Sequence, residues 1–312
     1  MSNELPLISV IITTFKRKKE FLRALESVFN QTYKNIEIIV VDDNAITKEY
    51  RKWIQQHLQV YDNIKLILNE TNLGGALSRN QGIKASRGEI ISFLDDDDIY
   101  LPNKIELQYK SFIENNSNNV GLIYCFTMGV TNEGKKLEIY DNAHDGNPLF
   151  EHMLGGIAGT SSWLVPKKIL EEVGMFEDSP SKQDAILILK ILALDYNVHC
   201  VKTVLVHYTE ENVGKISGIG PKNIEGLLQF RSWSRSFYDK LSSKKINRVE
   251  YSFSAQLLTL YILNEYRRQA FEELKNLLKI SFFSKNSFIA MIKFFLPQAY
   301  KKVYQIYKFN RR

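Results

Sequence analysis

Cysteine is scarce in this chain: Cys125 and Cys200 are the only two in 312 residues, and both sit among apolar neighbours. They lack the paired spacing of a metal knuckle, so they read as two buried thiols in a reducing compartment. No uncharged apolar run reaches the length a bilayer demands, and an integral membrane protein is not expected. The apolar stretch from Leu5 to Phe15 precedes its basic cluster, Lys16-Arg17-Lys18-Lys19, and has no small-residue cleavage site. It does not read as a signal peptide. There is no Gly-x-x-x-x-Gly-Lys-Ser/Thr loop and no Gly-x-Gly-x-x-Gly turn, which argues against P-loop and dinucleotide folds. The five histidines are scattered, and no Ser/His or Cys/His triad is apparent.

What is present is an ordinary globular composition, 44% hydrophobic and 24% charged, with a net charge of +6. That charge favours acidic partners without naming one; nucleotide phosphates, anionic membrane and nucleic acid all fit it. Residues 8–13, 36–41, 64–68 and 90–94 read as buried strands, with helical spacing of apolar residues between them. Alternation of this kind predicts an α/β fold with a Rossmann-like, mainly parallel sheet flanked by helices. Beyond Pro221 the periodicity is purely helical. The expected division is an α/β domain over 1–217, in halves 1–127 and 128–217, and an all-helical C-terminal region over 218–312.

In such sheets ligands bind beyond the carboxyl ends of the strands. Three polar clusters fall there: Thr13 to Arg17, Asp42 to Asn44, and Asp95-Asp96-Asp97-Asp98. Four adjacent carboxylates repel one another and are costly to desolvate. Mg²⁺ or Mn²⁺ holding phosphates would offset that cost, the plainer alternative being a solvated acidic turn. Further on, Asp184 opens an apolar helical run. It is either a carboxylate favoured by the helix dipole or a functional group. The tail from 285 to 312 carries seven Lys or Arg, interleaved aromatics and no acidic residue. It reads as an amphipathic segment for peripheral contact with an anionic membrane, or as a terminal helix packing its aromatic stripe on the domain. Nucleic-acid binding is not expected, because no recognition fold accompanies the charge.

Five segments, taken together, resemble a known family. Ile8-Ser-Val-Ile-Ile-Thr-Thr-Phe-Lys-Arg, Ile38-Ile-Val-Val-Asp-Asp-Asn, Asn72-Leu-Gly-Gly-Ala-Leu-Ser-Arg-Asn-Gln-Gly-Ile, Phe93-Leu-Asp-Asp-Asp-Asp, and Val165-Pro-Lys-Lys-Ile-Leu-Glu-Glu-Val-Gly-Met-Phe with Gln183-Asp184 look like successive motifs of family 2 glycosyltransferases. The resemblance spans residues 5 to about 217 and implies a GT-A fold and transfer of a sugar with inversion. It implies that Thr13 and Phe15 line the nucleotide base and that Asp43 hydrogen-bonds a pyrimidine ring. It places Arg79 and Asn80 near base and phosphates and Asp96 near ribose or sugar, with Arg17 and Asp95 also among the nucleotide-sugar-binding residues. Asp97 would hold Mn²⁺ or Mg²⁺, with the register open by one residue within the run of four. Asp184 would be the general base. His207 is a possible second metal or phosphate contact, against a plain strand-end side chain, and Trp163 either lines an acceptor pocket or belongs to the core.

The expected activity is metal-dependent transfer from a UDP- or dTDP-sugar to a hydroxyl of a glycan or lipid-linked acceptor. Its setting would be surface-polysaccharide or capsule synthesis at the inner face of the cell membrane. A nucleotidyltransferase, or a sugar- or partner-binding module that has kept the fold without the chemistry, are the alternatives. The helices after Pro221 either pair two copies of the chain or cover the catalytic domain.

Overall fold

A computed structural model describes residues 5–45, 48–115, 118–210, 219–282 and 284–310. The chain divides into two units. The first comprises Met1–Leu149, Gly156–Asp178 and Gln183–Val213, and the second Phe150–Gly155, Ser179–Lys182 and Gly214–Arg312. Two short segments from the middle of the sequence therefore belong with the helical end. The domain boundary expected at 217 falls outside the described residues.

The first unit is built on one mixed sheet. Strands β1 (Ile8–Thr14), β2 (Ile36–Asp42), β3 (Ile64–Leu68) and β4 (Ile90–Asp95) lie in the order β3-β2-β1-β4 and pair in parallel. Helices α1 (Lys18–Phe29), α2 (Lys48–Leu58) and α3 (Gly74–Ala85) supply the crossovers. Ile8, Val10, Ile12, Ile38, Val40, Phe21 and Ile54 are buried in one core, which explains why these strands read as unbroken apolar runs. At Gly82 an added Cβ would stand 2.5 Å from the Ile11 side chain, so only glycine lets α3 pack this closely on β1.

Past β4 the pairing changes. The short β8 (Leu164–Pro166) runs antiparallel to β4 and also to β6 (Val120–Val130). β6 pairs in parallel with the long β9 (Asn197–Thr209), and β5 (Ile99–Tyr100) closes the edge against β9. β7 (Lys136–Tyr140) is antiparallel to β6. The antiparallel β8 is thus a single return between two parallel sets, and the segment before it and the end of β9 both reach the acidic run that follows β4. Helix α4 (Lys104–Glu114) buries Lys104, whose Nζ donates to Ser92 Oγ at 2.5 Å and to the Trp163 carbonyl at 2.9 Å. Burial pushes that ammonium down to about 7. Trp163 itself is fully buried and stacks on Phe176, so it is a core residue and not a wall of an acceptor pocket.

The second unit contains α8 (Pro221–Arg235), α9 (Ser243–Leu263), α10 (Arg267–Ile280), α11 (Lys285–Phe295) and α12 (Pro297–Asn310). No described helix is long and apolar enough to cross a membrane. Among Phe230, Phe253, Leu257, Leu274 and Leu277, all buried, runs an ion-pair network. Arg231 binds Glu250 at 2.6 Å and Glu273 at 2.9 Å, and Arg235 binds Glu250 at 2.6 Å. Burial opposes ionisation of Glu250, but the two arginines and the Tyr238 hydroxyl outweigh it and bring the carboxyl down to about 2. A depressed carboxyl contributes stability above its unfolded pKa and loses it as the pH falls through the folded one. Glu250→Gln should therefore destabilise the helical unit by about 3 kcal/mol at pH 7. In urea titrations the gap between variant and wild type should close as the pH falls from about 4.5 towards 2; a gap independent of pH would contradict the ion-pair account.

Candidate active site

The strand order reverses direction between β1 and β4, because the chain runs outward from β1 to β3 and then returns to the other side of β1. Crevices at such switch points collect ligands at the carboxyl ends of the strands. Here Thr13, next to last in β1, pairs with Asp95 of β4, and beyond Thr14 the chain continues through Phe15, Lys16 and Arg17. Lys16 takes a left-handed φ of 63°, and its N–H donates to Asn44 Oδ1 at 2.8 Å. Asn44 is fully buried and also donates to the Thr14 carbonyl and Asp42, so it fixes this turn.

The four carboxylates of the acidic run are sorted by burial. Asp98 is buried; it accepts from Ser161 Oγ at 2.5 Å and from the Thr209 N–H at 3.0 Å. Asp96 is buried too, accepting from the Phe15 N–H at 3.0 Å and from Arg17 Nη1 at 2.9 Å. Asp95 and Asp97 keep side-chain exposures of 34% and 18%, so these two alternate carboxylates are the ones that can meet a ligand. Arg17 also reaches Asp97 at 2.9 Å and so spans the Asp96–Asp97 pair, while Arg79 Nη2 donates to Asp95. Burial pushes the Asp97 carboxyl up to about 7, with Asp95 adding to it and Arg17 opposing. Asp98 is raised well above the usual carboxylate range, first by burial and then by Asp95 and Asp97.

Such a site is short of positive charge. Oxygen donors only, partly open and mutually repelling, suit a hard divalent cation. Among the described residues no three His, Cys, Asp or Glu side chains come together as a metal cage. Mg²⁺ and Mn²⁺ sites commonly use one or two carboxylates and take their remaining ligands from phosphates and water. Asp97, with Asp95 beside it, fits that pattern.

Arg79 links the acidic run to a distant part of the sequence. Its guanidinium lies 5.5 Å from the Phe176 ring, and Nη1 donates to Gln183 Oε1 at 3.2 Å. Gln183 opens α7 (Gln183–Ala193), and Asp184 follows it in the first turn, half-buried, accepting from the Ala185 N–H at 2.8 Å. A Cβ at Gly75 would stand 3.1 Å from Arg79 Nη1, so glycine there leaves room for the guanidinium. The series Asp95–Arg79–Gln183 thus connects the acidic run to the helix end that carries Asp184. Gln183, Ser161 and Thr209 carry no signal as single residues; Gln183 was visible only as the neighbour of Asp184.

Three of the expected site residues also have partners or surroundings within the fold. Asp43 is buried with both oxygens saturated: Oδ1 accepts from Asn69 Nδ2 and the Leu73 N–H, and Oδ2 from Asn72 Nδ2 and the Gly74 N–H, all within 2.8–3.0 Å. These bonds organise the loop that enters α3. Asn80 pairs with both backbone groups of Phe176, at 2.8 and 3.0 Å, and so docks α3 on that segment. His207 sits opposite Ile99 on β9, where burial and Lys136 hold its imidazole below the ordinary value. Tyr208, on the other face of the strand, is the residue that feels Asp98, Asp95 and Asp97. Phe15 leaves its ring exposed, Thr13 is half-buried, and Arg17 is partly open to solvent.

The sequence model of glycosyl transferase family 2 matches residues 9–174. The chain belongs to that family. An uncharacterized glycosyltransferase of Methanocaldococcus jannaschii, MJ1057, is 31% identical over 213 residues, covering 66% of this chain and 72% of its own length. The putative colanic acid biosynthesis glycosyl transferase WcaA of Escherichia coli is 26% identical over 282 residues, covering 88% of this chain and 94% of its own. The chain spans only 36% of the length of a Rickettsia bellii relative that is 32% identical. Among solved structures, S. aureus TarS 1–349 in complex with UDP-GlcNAc matches with a TM-score of 0.63 and 17% identity, over 88% of this chain and 81% of that one. The fold of the family 2 glycosyltransferase is thus GT-A, a mixed sheet flanked by helices with further helices at its C-terminal end.

The inward placement of Asp98 can be checked by a pair of variants. Asn offers one oxygen to the Thr209 N–H and an NH₂ to Ser161 Oγ, so Asp98→Asn should melt within about 2 °C of wild type. Asp98→Ala leaves both partners unsatisfied and should lose about 1–3 kcal/mol. Equal losses in calorimetry would show that this site needs a negative charge.

Proposed function

We propose that the first unit transfers a sugar from a nucleoside-diphosphate sugar to an acceptor hydroxyl with inversion at the anomeric carbon. The observation that carries this reading is the exposure of Asp95 and Asp97 at the switch point, tied through Arg79 and Gln183 to the helix end bearing Asp184. Asp97 would hold Mn²⁺ or Mg²⁺ with Asp95 at its side. When bound, the cation would supply positive charge to the leaving diphosphate. Arg17 orients Asp96 and Asp97 and offers a guanidinium to phosphate oxygens. The exposed Phe15 ring provides a face for the base, with Thr13 at the floor.

In the transfer step, the acceptor oxygen forms its bond to the anomeric carbon from the face opposite the diphosphate. The bond between that carbon and the phosphate oxygen breaks, and its electron pair leaves with the nucleoside diphosphate. Asp184 takes the hydroxyl proton. A uridine donor is favoured by the likeness to TarS, whose structure contains UDP-GlcNAc. A dTDP-sugar is the alternative donor, since thymine presents the same hydrogen-bonding edge as uracil. A polysaccharide acceptor, in surface or capsule synthesis, is supported by the colanic acid role in the name of the Escherichia coli relative. A lipid-linked acceptor would be met at the inner face of the cell membrane.

The reading is tested by nucleoside diphosphate release from a panel of sugar nucleotides, with donor binding followed in the same samples. One donor should be turned over with Mn²⁺ and not with EDTA. Asp184→Asn should slow release about 10²–10⁴-fold with donor binding retained, and Asp97→Asn should lose metal-dependent binding. Absence of both turnover and metal-dependent binding for every donor would sink the enzyme reading and leave a binding module.

A further inference from the structure

Helix α11 is apolar on two opposite faces. Ser287, Ala290 and Phe294 are buried and use one face to join the helical unit. At 100° per residue, Phe288, Ile289, Ile292, Phe295 and Leu296 form a second stripe about 120° wide on the far side. All five are exposed, Phe288 to 61% and Phe295 to 65%. On α12, Val303 and Ile306, three residues apart, are exposed to 62% and 61%. Seven large apolar side chains within 19 residues are thus left in water, although α11 has already buried one face in the unit's interior. Exposed apolar stripes of this kind mark interaction surfaces.

Charge selects the occupant. Between 285 and 312 the sequence holds seven Lys or Arg and no Asp or Glu. Lys285 falls within the angular span of the α11 stripe and is exposed; Lys302 is exposed and borders Val303. A second copy of the chain laid on this face would bring like charges together. An anionic bilayer attracts the cations, while its acyl boundary takes up the apolar stripe. At the junction of the two helices lies a cavity of about 230 Å³ lined by Arg267, Phe294, Pro297 and Lys301, with Glu265 paired to Lys301 at 2.7 Å.

We propose that the exposed stripe of α11 and the Val303 and Ile306 side chains of α12 dock on an anionic lipid surface, with Ile292 and Phe295 inserted and Lys285 and Lys302 at headgroup level. This assigns residues to the membrane encounter in the functional reading above, and rests on it only for the biological purpose of that encounter. The surface itself stands on exposure and charge.

The full chain would be sedimented with extruded vesicles of phosphatidylcholine alone and of phosphatidylcholine with phosphatidylglycerol, with donor turnover measured in each sample. Wild type should bind the anionic vesicles and not the neutral ones. Lys302→Gln should weaken binding about fivefold, and Ile292→Glu with Phe295→Glu should reduce it at least tenfold, all with donor turnover unchanged. No vesicle binding, binding indifferent to these substitutions, or equal binding to neutral vesicles would overturn the proposal. So would a concentration-dependent dimer that the double variant dissociates without any lipid binding. A protein inactive on every donor but bound through this stripe would leave the lipid surface standing and remove the catalytic reading.

Discussion

Four carboxylates in succession at the end of a buried strand are a constraint that the rest of the first unit has to satisfy. Unscreened, they would push one another apart and destabilise β4. The fold turns two of them inward and equips each with donors. Asp98 is held by Ser161 and the Thr209 N–H, Asp96 by the Phe15 N–H and Arg17. The outward pair is left with one arginine apiece, Arg79 for Asp95 and Arg17 for Asp97. The far half of the sheet acquires a purpose from this, because the carboxyl end of β9 and the segment before the antiparallel β8 deliver the groups that hold Asp98.

The same logic separates functional from structural polar residues around the crevice. Asp43 and Asn44 stand just past the end of β2, and Asn80 lies on α3. Each is hydrogen-bonded to groups of the chain itself, and together they rigidify the turn after β1, the loop before α3 and the docking of α3. A site that must hold a charged ligand without collapsing needs such second supports. Arg79 stands between the two groups: its guanidinium is largely buried against Phe176, yet it joins Asp95 to Gln183.

The parallel strands, their crossovers and the polar rim were legible in the sequence, because periodicity and turn chemistry are local properties. The register within the acidic run was not, since it is decided by Ser161 and Thr209, 63 and 111 residues from Asp98. The saturation of Asp43 was hidden for a similar reason: its partners at 69–74 are unremarkable as a string and converge only once α3 is placed. Trp163 follows a Gly/Ser loop and looks available, but the stacking of Phe176 on it encloses it. The membership of 150–155 and 179–182 in the helical unit is equally non-local. In α11, by contrast, composition showed basic and aromatic character, and only the fold revealed which apolar residues are spent inside and which are left over.

The most direct test of the account is an anomalous difference map from crystals grown with Mn²⁺ and a nucleoside diphosphate. The account predicts one manganese peak within about 2.2 Å of an Asp97 oxygen, in the range of such ligand distances, with Asp98 still bound to Ser161 and the Thr209 N–H. A peak on Asp98 or His207 with Asp97 unengaged would contradict it.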